Sequence, residues 1–376
     1  MMEKVLFTLQ VLVGLLSIID TSIWILFYKW FNDSLRKLEP PTPGDRVPDK
    51  VLIITPARNE EDNIGFMIES LQKQDYKNYT LVIVDDASTD NTPCIVKKYA
   101  SRDGRIRYLR IEEIPKGWSP KIYAIIRGLE EHDDGSYPVL VFLDADVYLK
   151  KESTLRILVS RAYTYNAIVS MNPRFKCKTL RCQLMETILT TLAHALFGFH
   201  QKRTTWFYGC CWAVTREIYY KLGGHRAFYN QIVEDRAIAE YARKLRINIQ
   251  VINGIEYIET TWYSSIRETM EALQRILAPH IAHTSRRKLI GESILLTLHY
   301  AQPLITALAS VVNPVLIPIA LMNYIIQVAV HTKATRLNKH SLISALLTPI
   351  TGQVLPITLL LSKQLRWRGR KLYCNS

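Results

Sequence analysis

VLVFLDADVYL, residues 139–149, is an apolar run that drops Asp144 and Asp146, one residue apart, where a buried strand is expected. Side chains alternate faces along a strand, so residues two apart point the same way. Both carboxylates then meet on one side, at the strand's carboxyl end. Left unpaired they would repel each other and suffer desolvation, so a shared cation or polar ligand is one reading. A strand that simply ends in a solvated turn is the other. The rest of the chain has to separate the two.

Upstream, Lys50–Thr55 is a β-branched run, followed over residues 56–74 by helical periodicity. Thr80–Asp85 reads as a second strand, and Ala87–Tyr99 opens with polar capping residues and continues as helix. Arg105–Ile111 alternates like an edge strand, and Pro120–Glu131 reads as the helix before the strand that ends at Asp144. Strands separated by helices predict an α/β fold, a mostly parallel sheet with helices on both faces. Ligands of such sheets bind outside the carboxyl ends of the strands. Three polar ends converge there: Arg58-Asn59-Glu60, Asp85-Asp86 and Asp144-Ala145-Asp146. That convergence favours a site over a solvated turn.

The flanks of the 376-residue chain are of another kind. Val5–Tyr28 is apolar except for Asp20, and no Asp, Glu, Lys or Arg occurs from Ser293 to Val330. The second stretch, ~57 Å as helix, suits two crossings of a hydrocarbon core about 30 Å thick, with a turn at Asn313-Pro314. A third uncharged stretch, Ser341–Ser362, carries Pro349, Gly352 and Pro356 and is expected to form a re-entrant or interfacial hairpin rather than a span. The N-terminal segment lacks a basic n-region and a small-residue cleavage site, so a retained anchor is expected. Lys29, Arg36 and Lys37, then Arg286, Arg287 and Lys288, then Lys333, Arg336 and Lys339 flank the apolar blocks. By the positive-inside rule they put the middle of the chain in the cytoplasm of a multi-pass cell-membrane protein. The net charge of +14 then faces anionic head groups rather than nucleic acid. The expected division is an anchor over 1–30, a cytoplasmic domain over 48–285, membrane segments over 292–362 and a basic cytoplasmic tail over 363–376. None of the six cysteines forms a C-x-x-C pair, so reduced thiols are expected, with neither a zinc site nor a disulfide framework.

ITPARNEEDNI, VIVDDASTDNT, FLDADV and VEDRAIAEYARKL, in that order, resemble the motifs of family-2 glycosyltransferases over roughly residues 50–280. The apolar flanks resemble the membrane-bound members that glycosylate lipids. Lys121, in SPKIYAIIRGL, resembles the lysine motif of ceramide glucosyltransferases and of hopanoid-associated and carotenoid glycosyltransferases, and RWRGRKLY near the C-terminus resembles the tail of the last two. The resemblance implies a GT-A nucleotide-diphospho-sugar transferase fold and an inverting transfer of a hexose from a nucleotide-diphosphate sugar, UDP-linked by expectation, to a membrane lipid.

Such a transfer needs the charge gathering on the leaving diphosphate to be neutralised, and a Mg²⁺ or Mn²⁺ ion on carboxylate oxygens does so. The resemblance implies Asp146 as first metal ligand, with Asp144 sharing the metal or touching the ribose. Asp86 would hold the base, with Asp85 assisting, and Pro56, Ala57, Arg58 and Glu60 would line the base and ribose pocket. Lys121 would put a point charge toward the diphosphate. Alternatively, Asp85-Asp86 caps the following helix. Inversion needs a general base opposite the leaving group; Asp235 is the first candidate and Glu234 the second, although carboxylates there also complement a helix dipole. Gly209 and Trp212, in YGCCWAVTREIYYKLGGH, are candidates to line the sugar pocket or to form a plain strand and turn.

The Gln-x-x-Arg-Trp of processive synthases is absent; the nearest stretch is Gln274-Arg275-Ile276-Leu277-Ala278, whose Gln274 and Arg275 are candidates to face the diphosphate. A processive polysaccharide synthase remains the alternative function. A nucleotidyltransferase would need a glycine-rich loop after the first strand, and no glycine occurs there before Gly65. A non-catalytic scaffold would be free to lose Asp146 or Asp235. Finally, Leu180, Leu184, Ile188, Leu192 and Leu196 form a helical stripe in Thr179–His200, either a core helix or an interfacial one that brings a lipid toward the base.

Overall fold

The computed structural model describes residues 2–197, 206–262, 266–282, 284–361, 366–367 and 370–371. Alternation of strand and helix gives the expected α/β arrangement: α1 (Met2–Arg36), β1 (Val51–Ala57), α2 (Ile64–Gln72), β2 (Tyr79–Asp86), α3 (Thr92–Ala100), β3 (Ile106–Ile111), α4 (Pro120–His132), β4 (Val139–Leu143), β5 (Val147–Leu149), α5 (Thr154–Tyr165), β6 (Ile168–Met171), β7 (Arg174–Lys176), α6 (Leu180–Leu192), β8 (Cys211–Thr215), α7 (Arg216–Lys221), α8 (Glu234–Lys244), β9 (Ile249–Ile252) and β10 (Ile258–Thr261). The main sheet runs β3-β2-β1-β4-β8-β6-β9, parallel except for β8, and β5-β10-β7 form a small second sheet.

Alternate residues of β1 feed two cores. Val51 and Ile53 pack with Met67 of α2, Val96 of α3 and Leu158 of α5, whereas Leu52 and Ile54 pack with Ile125 of α4 and Ile238 of α8. All of β4 is buried, as its unbroken apolar sequence requires. Pro56 sits in a central strand, which proline normally avoids. It is tolerated because β4 pairs only with Val51–Ile54, so no neighbour on that side asks for its missing N–H.

The β1 and β2 ends differ from the sequence expectation. Helical periodicity extends back to residue 56, but α2 starts at Ile64 and α3 only at Thr92. The residues between are loops stitched to each other. Asn59 (φ 52°) and Ala87 (φ 46°) turn the chain in the left-handed region. Asn59 N–H donates to Ser88 Oγ at 2.9 Å, Thr89 N–H to Asn59 Oδ1 at 2.9 Å and Glu60 N–H to Thr92 Oγ1 at 2.8 Å. These cross-loop bonds outweigh local helix propensity, since each satisfies a backbone donor that a fraying helix would leave to water.

The linker after α1 is fastened to the domain. Glu39 N–H donates to Val251 O at 2.8 Å, and the buried Arg161 on α5 reaches both Glu39 (3.1 Å) and Gln250 (2.9 Å).

Three longer helices follow among the described residues, α9 (Ile266–Ala282), α10 (Arg286–Ser310) and α11 (Ile317–Asn338), then three short ones, α12 (Ile343–Leu346), α13 (Thr348–Thr351) and α14 (Val354–Leu361), and a two-residue pair, β11 (Arg366–Trp367) with β12 (Arg370–Lys371). The turn between α10 and α11 falls at Asn313-Pro314 as expected. Among the described residues two helices, Glu3–Arg36 and Pro314–Asn338, are long and apolar enough to cross a membrane. Asp20, the only charge in the apolar part of α1, accepts hydrogen bonds from His299 of α10 and from Asn323 of α11 (2.9 Å). A carboxylate in an apolar helix thereby gains partners on two neighbours and joins all three. The stretch 341–362 is broken just before Pro349 and again at Gly352 into α12, α13 and α14, with Pro356 in the first turn of α14.

Cys177 and Cys182 form a disulfide, against the expectation of reduced thiols only. The end of β7 turns into α6 through Thr179, whose hydroxyl caps Cys182 N–H, and this tight entry brings the two Cα atoms to 5.4 Å. Among the remaining described cysteines Cys94, Cys210 and Cys211 are free. The stripe helix is helical as far as the described residues reach, α6 passing after Leu192 into a π-helical turn over Ala193–Phe197; residues 198–205 lie outside the described residues. Its buried side is largely polar. Both oxygens of Glu186 accept from Asn338 Nδ2 at 3.1 Å, and Asn338 Oδ1 accepts Phe175 N–H at 2.9 Å, tying α6 and β7 to the end of α11.

Candidate active site

β4 stops at Leu143, so the two aspartates stand in a turn before β5 and not within the strand. Val147 N–H closes that turn on Asp144 O at 3.2 Å, and Asp144 N–H is fixed to Cys210 O at 2.8 Å. The strand ends early because the β8 partner runs out at the same level, with Cys211 opposite Leu143. The carboxylates nevertheless share one neighbourhood: Cys210, half-buried beside them, has its thiol pushed well up, first by burial and then by Asp144 and Asp146.

Lys121 opens α4, and its ammonium bridges two elements, 2.9 Å from Asp144 Oδ1 and 2.8 Å from Glu234 Oε1. Burial disfavours its charge, but the two carboxylates more than compensate and hold it protonated. Glu234 answers in kind. Burial pushes its carboxyl up, Lys121 pulls it down harder, and it stays below its usual range.

Asp235, the next residue, lies in a different environment. Its Oδ2 accepts the backbone N–H of Gly209 and the indole N–H of Trp206, each at 3.1 Å. Burial among protein atoms and the charge of Glu234 push its carboxyl up to about 7. Adjacent carboxylates thus differ in proton affinity, Glu234 being ion-paired with Lys121 at 2.8 Å. A pair with separated proton affinities is the usual arrangement where one group must exchange a proton near neutral pH.

At the β2 end the two neighbouring aspartates also part. Asp85 is wholly buried and receives Ser88 N–H (3.0 Å), Tyr108 O–H (2.8 Å) and Arg110 (2.7 Å). Its oxygens hold the loop to β3 through these bonds. Neither aspartate caps α3, whose N-cap is Asn91. Asp86 is buried at the strand end, with Arg58 Nη1 3.6 Å from Oδ2 and donating to its backbone carbonyl at 2.5 Å. Pro56 and Ala57 lead into this corner as the last residues of β1. Glu60 accepts from Asn63 Nδ2 at 2.9 Å, and its carbonyl receives the N–H of Ile64, so it starts α2 as well as bordering the corner.

Trp212 does not line a sugar pocket. It is buried in β8 against Phe142, at a ring separation of 4.5 Å. Gln274 and Arg275 lie half-buried in the middle of α9, a helix that packs on α6 and α14. Sequence reasoning missed Trp206, which no periodicity marks, and His225. The latter is buried against Phe142 and Trp212 and paired with Tyr219 through Nδ1 at 2.9 Å. Burial lowers its pKa to about 3, so it stays neutral beside Glu234 and Lys121.

A divalent cation fits the donor set. Two carboxylates from one turn supply hard oxygens, and among the described residues no cluster of three or more His, Cys, Asp or Glu closes a cage.

Residues 52–223 match the family model described as Glycosyl transferase family 2. A 4,4'-diaponeurosporenoate glycosyltransferase of Staphylococcus aureus is 22% identical over 236 residues, 61% of this chain; the chain spans 60% of the length of that relative. A mannosyltransferase of Pyrobaculum calidifontis, solved with GDP-Man and Mn²⁺, superposes with a TM-score of 0.53 at 19% identity over 93% of this chain and 99% of its own. The α/β arrangement is thus the GT-A-like fold, with a mostly parallel sheet and flanking helices.

Proposed function

We propose that this protein, whose residues 52–223 match the Glycosyl transferase family 2 model, is an inverting glycosyltransferase that moves a hexose from a nucleotide-diphosphate sugar, UDP-linked, to a lipid acceptor in the membrane. The observation that carries the reading is the split of the acidic pair, with Glu234 held ionised by Lys121 and Asp235, which accepts from Gly209 and Trp206, raised toward neutrality by burial and by the charge of Glu234. Asp235 takes the proton of the acceptor hydroxyl as it attacks the anomeric carbon. Lys121, held by Asp144 and Glu234, presents positive charge at the strand ends where the diphosphate leaves. Asp86 and Arg58, with Pro56, Ala57 and Glu60, receive the nucleotide. Asp146 and Asp144 would hold Mg²⁺ or Mn²⁺, which when bound neutralises charge on the leaving diphosphate. Gln274 and Arg275 remain candidates for the same phosphates.

A lipid acceptor is supported by the long apolar helices packed on the domain and by the name of the Staphylococcus aureus relative. The basic residues at the helix ends support a cytoplasmic domain by the positive-inside rule. The test is incubation of the membrane-reconstituted protein with radiolabelled UDP-, GDP- and TDP-hexoses and total lipid extract. Label entering the organic phase from one donor is expected. Label only in a water-soluble polymer would replace this reading by the processive synthase. Protease access to residues 50–280 in sealed right-side-out vesicles would overturn the cytoplasmic placement.

A further inference from the structure

We propose that the face shared by α10 and α14 binds one anionic phospholipid, with its phosphate at Arg286, Arg287 and Lys288 and one acyl chain in the groove beyond them. The groove is lined by Ile290, Ser293, Ile294, Thr297 and Leu298 of α10 and by Leu360 of α14. Ile290, Ile294 and Leu298 repeat every fourth residue and are exposed by 41%, 56% and 44%. They form one continuous apolar rail on the helix surface.

The charge at the head of the rail is what selects the occupant. Arg286, Arg287 and Lys288 form the first turn of α10 and are exposed, and Ser285 caps Lys288 N–H, so the turn is fixed. A helix start already carries positive partial charge, and cations there are repelled by it. Three of them in one exposed turn repel one another and the dipole, and an external anion relieves both. The one carboxylate near by in sequence, Glu292, is engaged by His280 of α9 at 2.7 Å.

Dimensions agree with a lipid. From Lys288 to Leu298 is ten residues, ~15 Å of helix, half of a hydrocarbon core about 30 Å thick. A phosphate at the first turn therefore places an acyl chain along the rail through one leaflet. The second wall is held in place: Gln353 Nε2 donates to Thr297 O at 3.3 Å, and Gly352 lies so close to the Tyr300 ring that a side chain there would collide with it. The occupant is a bound phospholipid rather than the sugar acceptor, because α10 packs on α1, α11, α13 and α14, away from the strand ends that carry Lys121 and Asp144.

The test uses the full-length protein in phosphatidylcholine nanodiscs containing a minor share of dioleoyl phosphatidylglycerol, with retained lipid read by native mass spectrometry after detergent extraction. One phosphatidylglycerol per chain is expected, with no phosphatidylcholine held. Replacing Arg286, Arg287 and Lys288 by Ala should weaken retention on the order of a hundredfold. Thr297→Trp, which fills the groove without changing charge, should also displace the lipid, whereas Leu308→Trp, on the exposed helix surface outside the groove, should not. Unchanged unfolding temperatures in neutral detergent control for folding. Equal retention of phosphatidylcholine, or retention that survives Thr297→Trp, would leave only diffuse surface charge and overturn the site. Sugar transfer is not read, so failure here is distinct from failure of the transferase assignment.

Discussion

Gly209 donates its backbone N–H to Asp235 Oδ2 at 3.1 Å, and a methyl group on its Cα would stand 3.0 Å from that same oxygen. An added Cβ would push Asp235 aside by a few tenths of an ångström, so the glycine helps set the position of the carboxylate. Gly209→Ala is expected to displace Asp235 and to lower sugar transfer about a hundredfold, the scale of a misplaced catalytic group. A melting temperature close to wild type would confine the effect to the site; full activity would detach Gly209 from the mechanism.

Asp235→Asn keeps the shape and removes the base. Transfer should fall about 10²–10⁴-fold while affinity for the nucleotide sugar, measured by calorimetry, changes little. Glu234→Gln should act in the opposite sense, weakening the donor side through Lys121. Reversal of the two patterns would make Glu234 the base.

The raised carboxyl of Asp235 fixes the sign of the pH dependence. Its folded value is about 7 against an ordinary value of 3.8, so the basic form accumulates as pH rises through 7. Turnover should climb between about pH 6 and 8, and the climb should vanish in Asp235→Asn. The same shift makes the protonated form the one that favours folding. Stability contributed by this group is full below the unfolded value and declines as pH rises toward 7. A pH-independent turnover over that range would contradict the assignment.

Lys121→Met leaves Asp144 and the buried Glu234 without their common cation. Breaking a largely buried pair costs about 3 kcal/mol, so denaturant melts should shift visibly. Donor affinity should fall with it. Wild-type stability would mean that the bridge contributes nothing net.

Asp146→Asn is expected to abolish Mn²⁺- or Mg²⁺-dependent donor binding, measured by calorimetry with and without chelator, with the circular dichroism spectrum intact. Donor binding by wild type that ignores chelator would remove the metal from the site.

Much of the architecture was legible because burial has a period. The runs at Lys50, Thr80 and Val139 spelled strands covered on both faces, and the prolines and glycine of 341–362 spelled a broken helix, since each is a covalent property of the local chain. The order of polar strand ends followed from the alternation alone. What local pattern could not decide was how neighbouring residues divide their work. Asp85 and Asp86 are identical in sequence terms. One is spent on Arg110 and Tyr108 because β3 lies beside it, and the other turns toward Arg58. Glu234 and Asp235 likewise part only because α4 delivers Lys121 to the first and the segment before β8 delivers Gly209 and Trp206 to the second. The early end of β4, the stitched loops before α2 and α3 and the Cys177–Cys182 bond have the same origin. The sequence determined which residue types stand at the strand ends, since that depends on chain-local propensity and hydrophobicity. The tertiary structure decided their protonation and their partners, because electrostatic energy depends on distances between residues that only packing sets.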